Sequence, residues 1–134
     1  MNLHRFIGLF LLLSFNNLYA ADLTRVEVEQ RLATANKSHK ADLRRIDLTD
    51  LNLSGLDFKY ADLWGSDLRR SNLSKSDLSG LNLDLTVMTK INLAGANLAK
   101  TSIFGVSMSG ANLAKAILTG SRVISVLDRA NLTN

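Results

Sequence analysis

The sequence predicts an all-β solenoid: a chain wound into stacked flat coils, with one short helix ahead of them. Three observations carry this. An apolar residue returns every five positions between Ala41 and Ser125, at Leu43, Leu48, Leu53, Phe58, Leu63, Leu68, Leu73, Leu78, Leu83, Met88, Leu93, Leu98, Ile103, Met108, Leu113, Leu118 and Val123. The neighbouring columns are equally ordered: Asp or Asn usually precedes each centre, and Gly55, Gly65, Gly80, Gly95, Gly105, Gly110 and Gly120 all fall two places after one. Asn52, Asn72, Asn92 and Asn112 recur every twenty residues, which supports four quintets per coil.

A period of five fits neither a helix, at 3.6 residues per turn, nor a flat strand, at two. It suits a chain that turns a corner every five residues. The centre and the residue two before it, such as Ala41, Ser66, Ser71, Ala96 and Ala111, then face inward, and the other three face water. Such a coil cannot bury a core alone, so coils must stack. Stacked Asn side chains are expected to bond one another and nearby backbone groups.

The quintets ADLRR (41–45), ADLWG (61–65), ANLAK (96–100 and 111–115) and ANLTN (130–134) resemble the pentapeptide-repeat family, whose motif is A(D/N)LXX. The resemblance implies a right-handed quadrilateral β-helix. At twenty residues per coil, residues 41–125 make about four coils.

Taken in order, residues 1–20 read as a secretory signal peptide. His4 and Arg5 precede the apolar run FIGLFLLLSF, and Ala20 ends a plausible cleavage site. The run is too short to span a bilayer as a mature helix, although an uncleaved anchor is the competing reading. The expected location is therefore the periplasm or beyond. Residues 21–40 differ in texture. Thr24 to Glu27 spell a capping box, and a helix is expected from about Arg25 to Ala35 as a lid on the first coil. Asn36 to His39 form a polar link. Residues 126–134 are expected to be an irregular end, because Asp128 falls where a centre belongs while Leu127 and Leu132 come one place early. A four-residue step or a loosened last coil explains the slip.

The outward positions sort into four faces. One carries Trp64, Asp84, Phe104 and Ile124 just after its centres, with Leu85 next door and Tyr60 at the preceding corner. It is the only outward face with large apolar groups, so Tyr60, Trp64, Leu85, Phe104 and Ile124 are candidates for contact with a partner protein or a second copy. The next face carries Arg69, Arg70 and Lys90, beside Arg44 and Arg45, and is the candidate for an anionic partner. The remaining faces are bland.

Composition bounds the chemistry. The chain has no Cys, two His and a formal net charge of +4 over 134 residues. His4 leaves with the leader, and the Asp residues form ladders along a face rather than a converging acid pair. No catalytic, cofactor or metal residue is assigned. The family resemblance also implies gyrase protection by DNA mimicry as one known activity, but that belongs to acidic cytoplasmic rods. The expectation is an exported, non-catalytic scaffold for protein contact, with nucleic acid an improbable partner.

Overall fold

The computed structural model describes residues 21–134; the expected leader lies outside them. Each quintet closes a tight turn. The carbonyl of a centre accepts the N–H three residues on, as from Ser66 to Leu63 at 3.0 Å and from Ala96 to Leu93 at 2.9 Å. The third turn residue has positive φ: 66° at Gly65, but also 58° at Lys75, Lys90, Lys100 and Lys115. A side chain in that region costs about 1–2 kcal/mol, which is why glycine recurs there.

The Asp/Asn column has a local cause. Its side-chain oxygen accepts the N–H two residues on, as Asp47 does from Thr49 (2.9 Å) and Asn72 from Ser74 (3.0 Å). This pre-forms each corner, which favours a short carbonyl-bearing side chain there. The expected bonding of stacked Asn side chains to backbone groups is present, while their bonding to one another is corrected. The Asn oxygens are committed to their own corners, and among the described residues one Asn–Asn bond joins Asn131 Nδ2 to Asn112 Oδ1 at 3.3 Å.

Between corners the backbone pairs in parallel with the segment twenty residues on. Strand β1 (Ala41–Asp42) pairs with β2 (Ala61–Asp62), isolated bridges such as Asn52↔Asn72 and Asn72↔Asn92 continue the ladder, and β3 (Ser102–Ser107) pairs with β4 (Arg122–Val126). Leu93 N–H, for example, donates to Asn112 at 2.7 Å.

Centres from Leu43 to Leu113 are buried. So are the small polar residues of the second inward column, whose hydroxyls donate to nearby carbonyls: Ser66 to Leu63 at 2.7 Å and Ser71 to Leu68 at 2.6 Å. That satisfies each hydroxyl inside the core. The last centres do not follow the rule that all face inward. Leu118 is half-buried and Val123 is 38% exposed, because no further coil of the described residues lies over them.

Helix α1 spans Arg25–Ala33, two residues shorter than expected. Thr24 and Glu27 form the reciprocal capping box, and the helix ends at the C-cap Thr34, after which Ala35 N–H donates to the Leu32 carbonyl at 3.1 Å. Val28 is fully buried against the core, and Leu23, Leu32 and Ala35 pack beside it. Arg25 donates to the carbonyl of Asn52 (2.9 Å) and Arg31 to that of Asp42 (2.8 Å). These bonds satisfy carbonyls that have no preceding coil among the described residues to pair with.

The slip after Val123 is a four-residue step. Phe104 pairs with Ile124, but Val106 pairs with Ser125, so β4 lacks a counterpart of Gly105. Pairing then continues one residue early: Asn112 bridges Asn131, and Leu113 N–H donates to Asn131 at 2.7 Å.

Candidate functional site

The corner and face around Phe104 carry a group of outward apolar residues but, contrary to expectation, not the only large one: Ile117, in the Asn97 column of another face, is 51% exposed where the repeat asks for Asp or Asn. Leu85, Phe104 and Ile124 are 52%, 56% and 66% exposed. Phe104 and Ile124 are direct parallel partners, and Leu85 N–H donates to Phe104 at 3.2 Å. The Leu85 side chain leans over Gly105: a Cβ there would sit 3.3 Å from Leu85 Cδ2, so only glycine admits the contact without displacement. The three therefore form one ridge.

Asp84 interrupts the column in sequence, and the structure gives the reason. Ser102 stands where the next coil would have Asp or Asn. Asp84 Oδ1 reaches across and accepts both Phe104 N–H (2.9 Å) and Ser102 Oγ–H (2.8 Å). A carboxylate in the apolar column thus completes the corner that presents Phe104.

Trp64 and Tyr60 stand apart from this ridge. Trp64 is half-buried, with the Arg45 guanidinium 4.9 Å from its ring centre. Lys59 Nζ lies 5.6 Å from the Tyr60 ring centre. Trp64 is thus partly covered by a cation, whereas Tyr60 remains 37% exposed beside Lys59.

The basic candidates are mostly paired. Arg44 donates to both oxygens of Asp42 (2.9 and 3.0 Å) and lies 3.8 Å from Asp62. Arg69 bonds Asp67 at 2.9 Å, and Arg70 holds Asp50 of the preceding coil through two bonds, 2.8 and 2.7 Å. The Arg44 bonds hold Asp42 down to about 2, and those from Arg70 hold Asp50 below the usual carboxylate range. Arg45 is committed to Trp64, and Lys90 projects past Gly110, whose Cβ would meet Lys90 Cγ at 3.3 Å. The five cations do not converge on one open anion site.

Two residues beside the ridge escaped the sequence reading. Val87 and Val126 are 36% and 52% exposed, and both lie in one column with Ser107, which bridges Val87 and pairs with Val126. Because β3 and β4 run through the corner without a turn, Val126 extends the apolar surface from Ile124 onto the next face. The signal was available: a valine where the repeat asks for Asp or Asn. Among the described residues no cluster of His, Cys, Asp and Glu is placed to hold a metal ion, and no helix is long and apolar enough to cross a membrane.

Comparison with known proteins settles the family. Eight copies of the family described as Pentapeptide repeats match the chain, over residues 39–64, 52–89 and 89–120. The chain belongs to the pentapeptide-repeat family. Its coil is accordingly the right-handed β-helix of that family. This pentapeptide-repeat protein resembles HetL, a pentapeptide repeat protein involved in heterocyst differentiation regulation from the cyanobacterium Nostoc sp. strain PCC 7120. The two are 31% identical with a TM-score of 0.59, and the match covers 69% of this chain and 43% of HetL, less than half its length. A second Nostoc PCC 7120 pentapeptide repeat protein is 26% identical over 77% of this chain and 78% of its own, with a TM-score of 0.54. No curated protein sequence matches significantly.

Proposed function

We propose that this pentapeptide-repeat protein is an exported, non-catalytic rod of about four coils, lidded by α1, that makes protein contact through its apolar ridge. The carrying observation is the contiguous exposure of Leu85, Phe104 and Ile124. Val87 and Val126 widen the ridge around the corner. Burial of such groups contributes about 25 cal/mol per Å², offset by the cost of association, which suits a modest dimer or a transient partner. Export rests on the leader-like residues 1–20. DNA mimicry finds little footing, since it needs a run of open carboxylates and Asp42, Asp50 and Asp67 are held by arginines.

Phe104→Ser with Ile124→Ser removes the ridge without touching a buried centre. Sedimentation of the parent should show self-association, or a pull-down should recover a partner, and the double variant should lose it with an unchanged circular dichroism spectrum. A parent that stays monomeric at high concentration and captures nothing overturns the proposal. Fusion of residues 1–22 to a reporter tests location: cytoplasmic retention of the intact fusion removes the exported reading.

A further inference from the structure

The aromatic that the ridge leaves out lines a groove of its own. Trp64 and Arg44 line two clefts. One is bordered by Arg45, whose guanidinium lies 4.9 Å from the Trp64 ring centre, and the other is a groove of about 340 Å³ bordered by Lys40, Arg44, Lys59, Asp62, Trp64 and Asn82. Gly80 lies in this lining. The volume lies at the small end of ligand sites, about 300–1,000 Å³. It suits one or two rings, not a folded segment.

The chemistry of the lining is mixed in a specific way. Lys40 and Lys59 are exposed and have no carboxylate partner among the described residues, unlike Arg44, and Lys59 Nζ rests 5.6 Å from the Tyr60 ring centre. Asp62 Oδ1 accepts Trp64 N–H at 3.2 Å, while Oδ2 is 3.8 Å from Arg44, beyond a hydrogen bond. Asn82 Oδ1 accepts Asp84 N–H at 2.9 Å, and its amide NH₂ makes no hydrogen bond among the described residues. The groove thus offers an indole held in place by Arg45, two ammonium groups, one carboxylate oxygen and one amide donor.

We infer that this groove binds an acidic carbohydrate of the uronate type. The ammonium groups take the carboxylate, Asp62 and Asn82 take hydroxyls, and Trp64 takes the apolar face of a pyranose ring. A phosphodiester chain fits less well, because the cations do not continue along the rod: the positions twenty and forty residues after Arg44 are Trp64 and Asp84. A nucleic acid needs a track of cations, and this is a single point. The groove shares none of its lining with Leu85, Phe104 or Ile124, and the inference does not rest on the ridge.

Trp64 is the only tryptophan, so its fluorescence reports on the groove directly. The full chain is titrated with trigalacturonate at low salt by calorimetry and fluorescence, in parallel with galactotriose, oligothymidylate and phosphatidylglycerol vesicles. Trigalacturonate should bind and perturb the Trp64 emission. Lys40→Gln with Lys59→Gln should weaken it at least about tenfold, the loss expected for one charge-assisted hydrogen bond, while Lys100→Gln, outside the groove, should not. Trp64→Leu should weaken it as well, which keeps the test open if the double lysine variant fails to fold. Absence of trigalacturonate binding, equal binding of galactotriose, unchanged affinity in folded variants, or tighter binding of the oligonucleotide or the vesicles would each overturn the inference.

Discussion

Leu93 and Leu132 occupy the same column of the repeat, and truncating each to alanine separates repeat position from burial. Leu93 is fully buried, with coils on both sides: its own N–H donates to Asn112, and Leu73 N–H donates to Asn92. Leu93→Ala removes three carbon groups, a transfer loss of about 2.4 kcal/mol at roughly 0.8 kcal/mol per group. The stacked backbone above and below limits collapse, so a cavity remains and the total should fall at about 3–5 kcal/mol. Leu132 is 54% exposed, and no described coil lies over it. Less than half of the transfer term applies and no closed cavity forms, which leaves about 1 kcal/mol or less. Urea unfolding followed by circular dichroism measures both, with the slope checked for constancy so that fraying of the last coil is not mistaken for lost stability. Equal losses at Leu93 and Leu132 would refute the reasoning, because they would mean that the end of the solenoid is covered.

Asp84→Ala leaves Phe104 N–H without its acceptor and should cost about 1–2 kcal/mol, with faster amide exchange at Phe104 than at Leu93. Gly105→Ala places a Cβ at φ 66° and 3.3 Å from Leu85, so it should lose about 1–2 kcal/mol, and Leu85→Ala should relieve part of that loss in a double-mutant cycle. Acid should destabilise the fold in a defined window. Asp42 is depressed from 3.8 to about 2 by its hydrogen bonds from Arg44, so its contribution is present above pH 3.8 and fades as pH falls towards 2. Asp42→Asn should flatten that limb in urea midpoints taken from about pH 5 downwards, and an unchanged limb would show the pair to be unimportant.

The five-residue period determined which side chains face inward along most of the chain, because a corner at every fifth residue leaves no other way to bury Leu43 to Leu113. The Thr24–Glu27 capping box announced the start of α1, since its two bonds are local. Sequence alone did not determine the end of α1, where Ala35 closes on Leu32, nor which of two explanations accounts for the slip after Val123. Strand pairing across coils decided that, by setting Val106 opposite Ser125. The surface was legible only as columns. Trp64, Leu85, Phe104 and Ile124 read alike as exposed apolar residues, yet Arg45 covers Trp64 while nothing described covers Phe104. Arg44, Arg69 and Arg70 read as a basic face, but Asp42, Asp67 and Asp50 neutralise them. Arg44–Asp42 and Arg69–Asp67 are two residues apart, whereas Arg70–Asp50 and Arg45–Trp64 are contacts between coils that only stacking brings together. A column in the sequence fixes a side chain's position on the rod, and only the packed neighbour determines whether it is open to a partner.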